Sequence, residues 1–200
     1  MKKIVIGLVG GPSTGKGEIS RLLEKKGFSP FSLSDILKIR ARERGLSPTR
    51  QILTDIANDL RAKNGANALA VEMVGFLKDL QSQCIVIESI RHPEEVKTLQ
   101  KELGAFVIGV SMPLEKRWEL MQKRNRPGDP ATWEGFLELV KSEESGVGEK
   151  TNIQVGWALE AADVKIDNNE GVKRLDEKIR ELLLSRGIEI DKDSICKERK

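Results

Sequence analysis

One histidine, two cysteines and the absence of any long apolar run set the first limits on this 200-residue chain. His92 stands alone, which excludes a histidine-rich zinc site. Cys84 lies in an apolar run and Cys196 in a charged stretch, so the pair reads neither as a disulfide framework nor as metal ligands. The apolar runs are too short to span a bilayer, and a glycine-rich stretch interrupts the segment after Lys2-Lys3 before a signal pattern can form. A cytoplasmic protein with no membrane partner is expected. A strong excess of one charge is also lacking. The net charge of +3 gives no support for nucleic-acid binding, so any anion must be met by locally placed groups. The length suits one domain with a small inserted lid.

What the chain does have is Gly10-Gly11-Pro12-Ser13-Thr14-Gly15-Lys16-Gly17. It stands between the apolar run Ile4-Val5-Ile6-Gly7-Leu8-Val9 and a segment with Ile19, Leu22 and Leu23 at helical spacing. Strand, glycine-rich turn, lysine and helix together are the context of a phosphate loop. The glycines let consecutive N–H groups curl inward at phosphate oxygens, and the helix start adds partial positive charge. Lys16 supplies an ammonium for the outer phosphates. Gly10, Gly11, Pro12, Ser13, Thr14, Gly15, Lys16 and Gly17, with Glu18 beside them, are the candidate ATP-binding residues. The place after the lysine usually carries a Ser or Thr that holds Mg²⁺. Gly17 cannot, so a metal would depend on phosphates, water and a carboxylate elsewhere.

Further on, apolar runs alternate with helical stripes, as in a parallel sheet with crossover helices. Residues 28–33 predict a second strand, and Ser34-Asp35 stands where it gives way to a helix at the ligand-binding edge. Asp35 is a helix cap, a carboxylate facing the acceptor, or both. Arg40, about a turn and a half beyond it, is a candidate acceptor contact. So is Arg61, near the end of a helix with Ile52, Leu53, Ile56 and Leu60 on one face. Ser47-Pro48 predicts the start of that helix. The helices before the third strand exceed what one crossover needs, which predicts an inserted flap at about 35–80. Cys84-Ile85-Val86-Ile87 reads as a strand covered on both faces and ends in Glu88-Ser89-Ile90-Arg91. Glu88 is the candidate for orienting Mg²⁺ through water, and Arg91 is a further acceptor contact. His92 is a cap or surface residue.

A fourth strand leads to a helix on which Arg117 and Arg124 share one face. The polar break at Arg126-Pro127-Gly128-Asp129-Pro130 then predicts a lid at about 117–130 that brings Arg124 and Arg126 over the transferring group. Gly146-Val147-Gly148 interrupts the following helix. A fifth strand at 163–167 and a closing helix complete a domain over 1–186, followed by a charged tail over 187–200 that is expected to be loose.

With these pieces placed, the chain resembles the P-loop nucleoside monophosphate kinase and dephospho-CoA kinase group, in particular its adenylate-kinase-related, dephospho-CoA-kinase-like branch. The Gly-Lys-Gly loop, Ser34-Asp35 with downstream arginines, Glu88-x-x-Arg91, the arginine-rich lid and Ala162-Asp163-Val164-x-Ile166-x-Asn168 carry the likeness. The resemblance implies a three-layer α/β fold with five parallel strands in the order 2-3-1-4-5. It also implies ATP and Mg²⁺ as cofactors, a monomer or homodimer, and γ-phosphoryl transfer to a small nucleotide-like acceptor. A nucleoside or deoxynucleoside monophosphate is the expected acceptor, with dephospho-CoA as the alternative and a non-catalytic nucleotide sensor as a reading of another class. Lys16, Arg124, Arg126 and Asp35 are the expected catalytic residues, and Asp35, Arg40, Arg61 and Arg91 the acceptor contacts. The branch usually has Asp where Glu88 stands, and no clear acid is legible near Val140.

Overall fold

The computed structural model describes residues 3–144, 153–190 and 196–198, so the interruption expected at Gly146-Val147-Gly148 lies outside the described residues. Strand β1 (Ile4–Val9) is buried along its whole length and forms the centre of the sheet. It pairs in parallel with β3 (Cys84–Ile90) on one side and β4 (Phe106–Ser111) on the other. β2 (Ser29–Ser32) adds to β3, and β5 (Val164–Asp167) to β4, giving five parallel strands in the order β2-β3-β1-β4-β5. The fold class and strand order are those expected from the sequence.

Period-2 alternation sends the two sets of side chains into two cores. Val5, Ile85, Ile87 and Val107 face a layer made by α2 (Leu33–Glu43), α3 (Arg50–Asn64), α4 (Ala68–Lys78), α5 (Pro93–Leu103) and α8 (Val155–Glu160). Ile4, Ile6, Leu8, Val86 and Ile108 face α1 (Lys16–Glu24) and α9 (Val172–Ser185). A third, small cluster belongs to α6 (Leu114–Arg124) and α7 (Trp133–Glu144). There the rings of Trp118, Trp133 and Phe136 lie 5.5–6.1 Å apart, so this helical pair carries its own core. The apolar stripes thus explain the layers, and the loop after β1 emerges at the carboxyl edge between strands leading in opposite directions, where open α/β sheets bind ligands.

Local chemistry shifts several boundaries. Ser32, not Ser34 or Asp35, caps α2, its Oγ accepting from the Ser34 N–H at 3.2 Å. Thr49 caps α3 in the same way, so the helix begins after Ser47-Pro48. His92 caps α5 as its position suggested: Nδ1 accepts from the Glu94 N–H at 3.1 Å, and Glu95 reaches back to the His92 N–H. The tail is not patternless, because β6 (Ile188–Ile190) pairs antiparallel with β7 (Cys196–Glu198) and Ile188 is buried against α9. Cys84 is disulfide-bonded, which corrects the reading drawn from spacing alone. Chain proximity after folding, not sequence interval, decides such a bond.

Candidate active site

The loop from Gly10 to Gly17 turns back under the carboxyl edge of the sheet. Gly15 takes φ 96°, a left-handed conformation that glycine adopts at little cost, and its carbonyl accepts from the Glu18 and Ile19 N–H groups of α1. Glycine is also needed for space at Gly10, where an added Cβ would stand 2.5 Å from the Val110 backbone carbonyl oxygen. Thr14 Oγ1 donates to the Gly11 carbonyl at 3.1 Å, and Asn168 Nδ2, from the end of β5, donates to the Thr14 carbonyl at 3.1 Å. Ser13 has φ 58°, and its Oγ is buried without a hydrogen-bond partner.

Lys16 folds back over this loop, its Nζ donating to the carbonyls of Gly10 and Gly11 at 2.7 Å each. Burial first, then the neighbouring Arg91 and Arg117, lower its pKa to about 8, while Glu143 and Glu88 oppose the shift. The charges of those four side chains are thus felt at the ammonium. Arg117 is itself buried, donates from Nε to the Pro12 carbonyl at 2.8 Å, and lies 2.9 Å from Glu144 through Nη2.

Beside the loop opens a small cavity of about 70 Å³, well below the volume of a whole small-molecule site. Ser34, Arg50, Thr54, Arg61, Ser89 and Arg91 supply its polar lining. Arg61 is 1% exposed and grips Glu95, itself fully buried, through Nε at 3.2 Å and Nη2 at 2.7 Å. Glu95 also accepts from the Arg91 and His92 N–H groups, so one carboxylate fixes Arg61 and the end of β3 together. Arg61 Nη1 is buried with no partner. Glu143 Oε1 accepts from Arg50 Nη2 at 2.5 Å and Arg91 Nη1 at 3.2 Å. Burial alone would raise the pKa of Glu143, but Arg91 and Arg50 outweigh it and hold the carboxyl below its ordinary value.

The structure thus brings together Lys16, Glu88, Arg61 and Arg91 from the expected residues. It sets four others apart. Asp35 is exposed and paired with Lys38 at 2.8 Å, and Arg40 is paired with Glu43 and Glu72; neither lines the pocket. Arg124 is held by Asp129 through two 2.8 Å bonds, while Arg126 is exposed and makes no ion pair among the described residues. Glu18, expected at the phosphates, pairs with Arg21 at 3.0 Å.

Sequence reasoning missed Arg50, Arg117, Asn168 and Glu143 as site residues, and Glu143 is the acid that could not be found near Val140. A signal existed for two of them. Arg117 lies three residues after Leu114 and four before Met121, and Glu143 continues the buried spacing of Phe136 and Val140. A charged residue on an apolar stripe must be paired or functional, since burial of a lone charge is costly.

For a metal, the fitting donor is Glu88, half-buried at the end of β3 and near Lys16. Mg²⁺ commonly uses one or two carboxylates with substrate phosphates and water, so a single carboxylate is compatible with it. Among the described residues no group of three or more acidic, histidine or cysteine side chains forms a protein cage. No helix among them is long and apolar enough to cross a membrane.

No protein-family model matches the chain. It is 31% identical over 182 residues to the UPF0200 protein of Methanoregula boonei, covering 90% of this chain and 96% of that relative. Identity is also 31% over 187 residues to the UPF0200 protein of Thermococcus kodakarensis, with 90% and 96% covered. Among solved structures, TT1252 from Thermus thermophilus superposes with a TM-score of 0.59 at 19% identity, covering 92% of this chain and 98% of that one. Shikimate kinase from Acinetobacter baumannii in complex with shikimate gives 0.54 at 18%, covering 94% and 96%. At such identities these structures speak for the fold alone, which this chain shares with shikimate kinase.

Proposed function

The chain belongs to the UPF0200 family, whose name specifies no substrate, and we propose from its site that it transfers the ATP γ-phosphoryl group to a small anionic acceptor of nucleotide type. The observation that carries this reading is an arginine-lined pocket opening beside a lysine-bearing phosphate loop, with the buried Arg61 Nη1 left without a partner. Phosphoryl transfer asks a protein mainly for positioning and charge neutralisation. Lys16 leaves the Gly10 and Gly11 carbonyls to hold the β- and γ-phosphates. Arg117, already on the loop, offsets charge on the transferring group. Glu88 would hold Mg²⁺ through water, and the ion would supply charge neutralisation to the phosphates. Arg50, Arg61 and Arg91 meet the acceptor.

The acceptor class follows from what the pocket lacks. A hydroxyl acceptor gains from a base within hydrogen-bond reach. Asp35 is turned to Lys38, and Glu143, its pKa held down by two arginines, is a weak base at neutral pH. A phosphate acceptor is already an anion and needs arginines instead. This favours a nucleoside or deoxynucleoside monophosphate over dephospho-CoA. The test is ADP release from MgATP with monophosphates, dephospho-CoA and shikimate offered separately. Stimulation by monophosphates is the expected result, and turnover with dephospho-CoA alone would reverse the choice.

One observation favours a second reading. Gly17 is exposed, and a Cβ added to it would meet nothing within 4 Å, so packing does not exclude the hydroxyl that usually binds Mg²⁺ there. A sensor that binds nucleotide without turnover would tolerate that loss. ATP binding with no acceptor-stimulated ADP release would establish it.

A further inference from the structure

Glu143 grips two of the three arginines of the pocket, yet it comes from α7, far in sequence from both of them. One of its oxygens receives Arg50 from α3 and Arg91 from beyond β3, and its side chain is only 9% exposed. The arrangement is what a bound anion would show: a single oxygen held by guanidinium groups from two elements, in surroundings that strengthen the contact. We propose that Glu143 is an internal stand-in for the acceptor's anionic group, occupying Arg50 and Arg91 while the pocket is empty and setting how strong an anion must be to replace it. This inference rests on the acceptor reading of the pocket.

The physical consequence is selective. A carboxylate brings one negative charge, whereas a phosphate monoester brings about two with three acceptor oxygens. A phosphate can outbid Glu143 for both arginines, while a simple carboxylate or an uncharged molecule gains little by trying. Arg61, held separately by Glu95 with Nη1 free, gives the arriving group a first contact that Glu143 does not contest. Glu143 is thus a specificity-determining residue that acts through Arg50 and Arg91, without touching the acceptor itself.

The experiment titrates inorganic phosphate by calorimetry into protein whose loop is saturated with a non-hydrolysable ATP analogue and Mg²⁺, so that only the pocket reports. Glu143→Gln keeps the shape and one acceptor oxygen while removing the charge. It should bind phosphate about tenfold tighter than the unaltered protein, and should also lose discrimination against acetate. Glu138→Gln, the same charge change at an exposed place on α7, should leave phosphate binding unchanged. A purely structural Glu143, needed to hold the arginines in place, gives the opposite sign: weaker phosphate binding in Glu143→Gln. That result, or equal tightening in Glu138→Gln, overturns the inference. Arg50→Gln, at a partly exposed position that does not threaten folding, keeps the two ideas apart. Weakened phosphate binding there, with no tightening in Glu143→Gln, sinks the stand-in role alone. Phosphate binding that is absent throughout, or indifferent to Arg50→Gln, sinks the acceptor reading of the pocket.

Discussion

The two halves of the site are built by different means. The phosphate loop is eight consecutive residues whose shape is set mainly by backbone, by glycines at Gly10 and Gly15, and by a lysine that satisfies the loop's own carbonyls, with Arg117 and Asn168 bracing it from a distance. The pocket is assembled at long range: Arg50 meets Glu143 across 93 positions, and Arg61 meets Glu95 across 34. A loop of the first kind takes most of its shape as soon as its strand and helix form, and the distant side chains only brace it. A pocket of the second kind exists only after three helices and a strand end have docked, and its side chains are part of what holds them. Mutation should therefore damage activity alone in the loop, but stability as well in the pocket.

Arg61→Ala gives the largest expected effect and tests the pocket half. Removing one partner of a buried pair leaves the other charge uncompensated, which costs about 3–5 kcal/mol. Glu95 would be left with only the Arg91 and His92 N–H groups. Chemical denaturation should show that loss. A stability change below about 1 kcal/mol, the level of a surface pair, would mean that the pocket is no more structural than the loop.

Lys16→Ala tests the other half. Turnover should fall on the order of a hundredfold or more, because the charge acts mainly in the transition state, while the denaturation midpoint moves little. Near-normal turnover with any acceptor would show that the lysine is not the phosphate ligand.

The same contrast governs what could be read from the sequence. Five strands and the loop were legible because each depends on neighbours in the chain or on a strong periodic pattern, whereas the strand order came from the family resemblance. The arginines were harder. Arg40 and Arg61 looked equivalent as basic residues downstream of Asp35, but Arg61 continues the buried spacing of Ala57 and Leu60, whereas Arg40 projects to Glu43 and Glu72. Arg117 was noted only as sharing a helix face with Arg124, and Glu143 was not singled out at all. Helix α8 gave no signal, since six residues with Trp157 exposed make too short a stripe to recognise.

A pH series sharpens the loop further. Lys16, lowered by burial and by Arg91 to about 8, loses its proton in the empty loop above that pH. Bound polyphosphate favours the charged form, so binding must restore the proton. ATP affinity should be level below pH 8 and fall above it, approaching about tenfold per unit. Nucleotide-free stability runs the other way. The unfolded lysine holds its proton up to 10.5, so the cost of burying charge is present below about 8 and is relieved between those values. Lys16→Arg, charged throughout, should flatten the binding profile. An unchanged decline in that variant would assign the titration elsewhere.

The smallest effect is expected at the tip between α6 and α7, and it decides which arginine of α6 belongs to the site. Arg117 and Arg124 share one helix face, but their surroundings differ. Arg117 is buried against the Pro12 carbonyl and lies over the Phe136 ring at 5.7 Å, whereas Arg124 is bound in the tip by Asp129. To reach a phosphate, Arg124 would have to give up two hydrogen bonds that also order the tip, since Asp129 accepts the Arg126 N–H as well. Arg117 needs no such exchange. Arg124→Ala should therefore change turnover by no more than about twofold and stability by less than about 1 kcal/mol. Arg117→Ala should lower turnover about tenfold or more, with a smaller change in ATP affinity, as befits a contact that strengthens in the transition state. Steady-state kinetics on the two variants side by side gives the answer. If Arg124→Ala proves the more damaging, the tip opens in use and delivers its arginine to the loop, and the donor half then depends on a moving element and not on the fixed Arg117 contact alone.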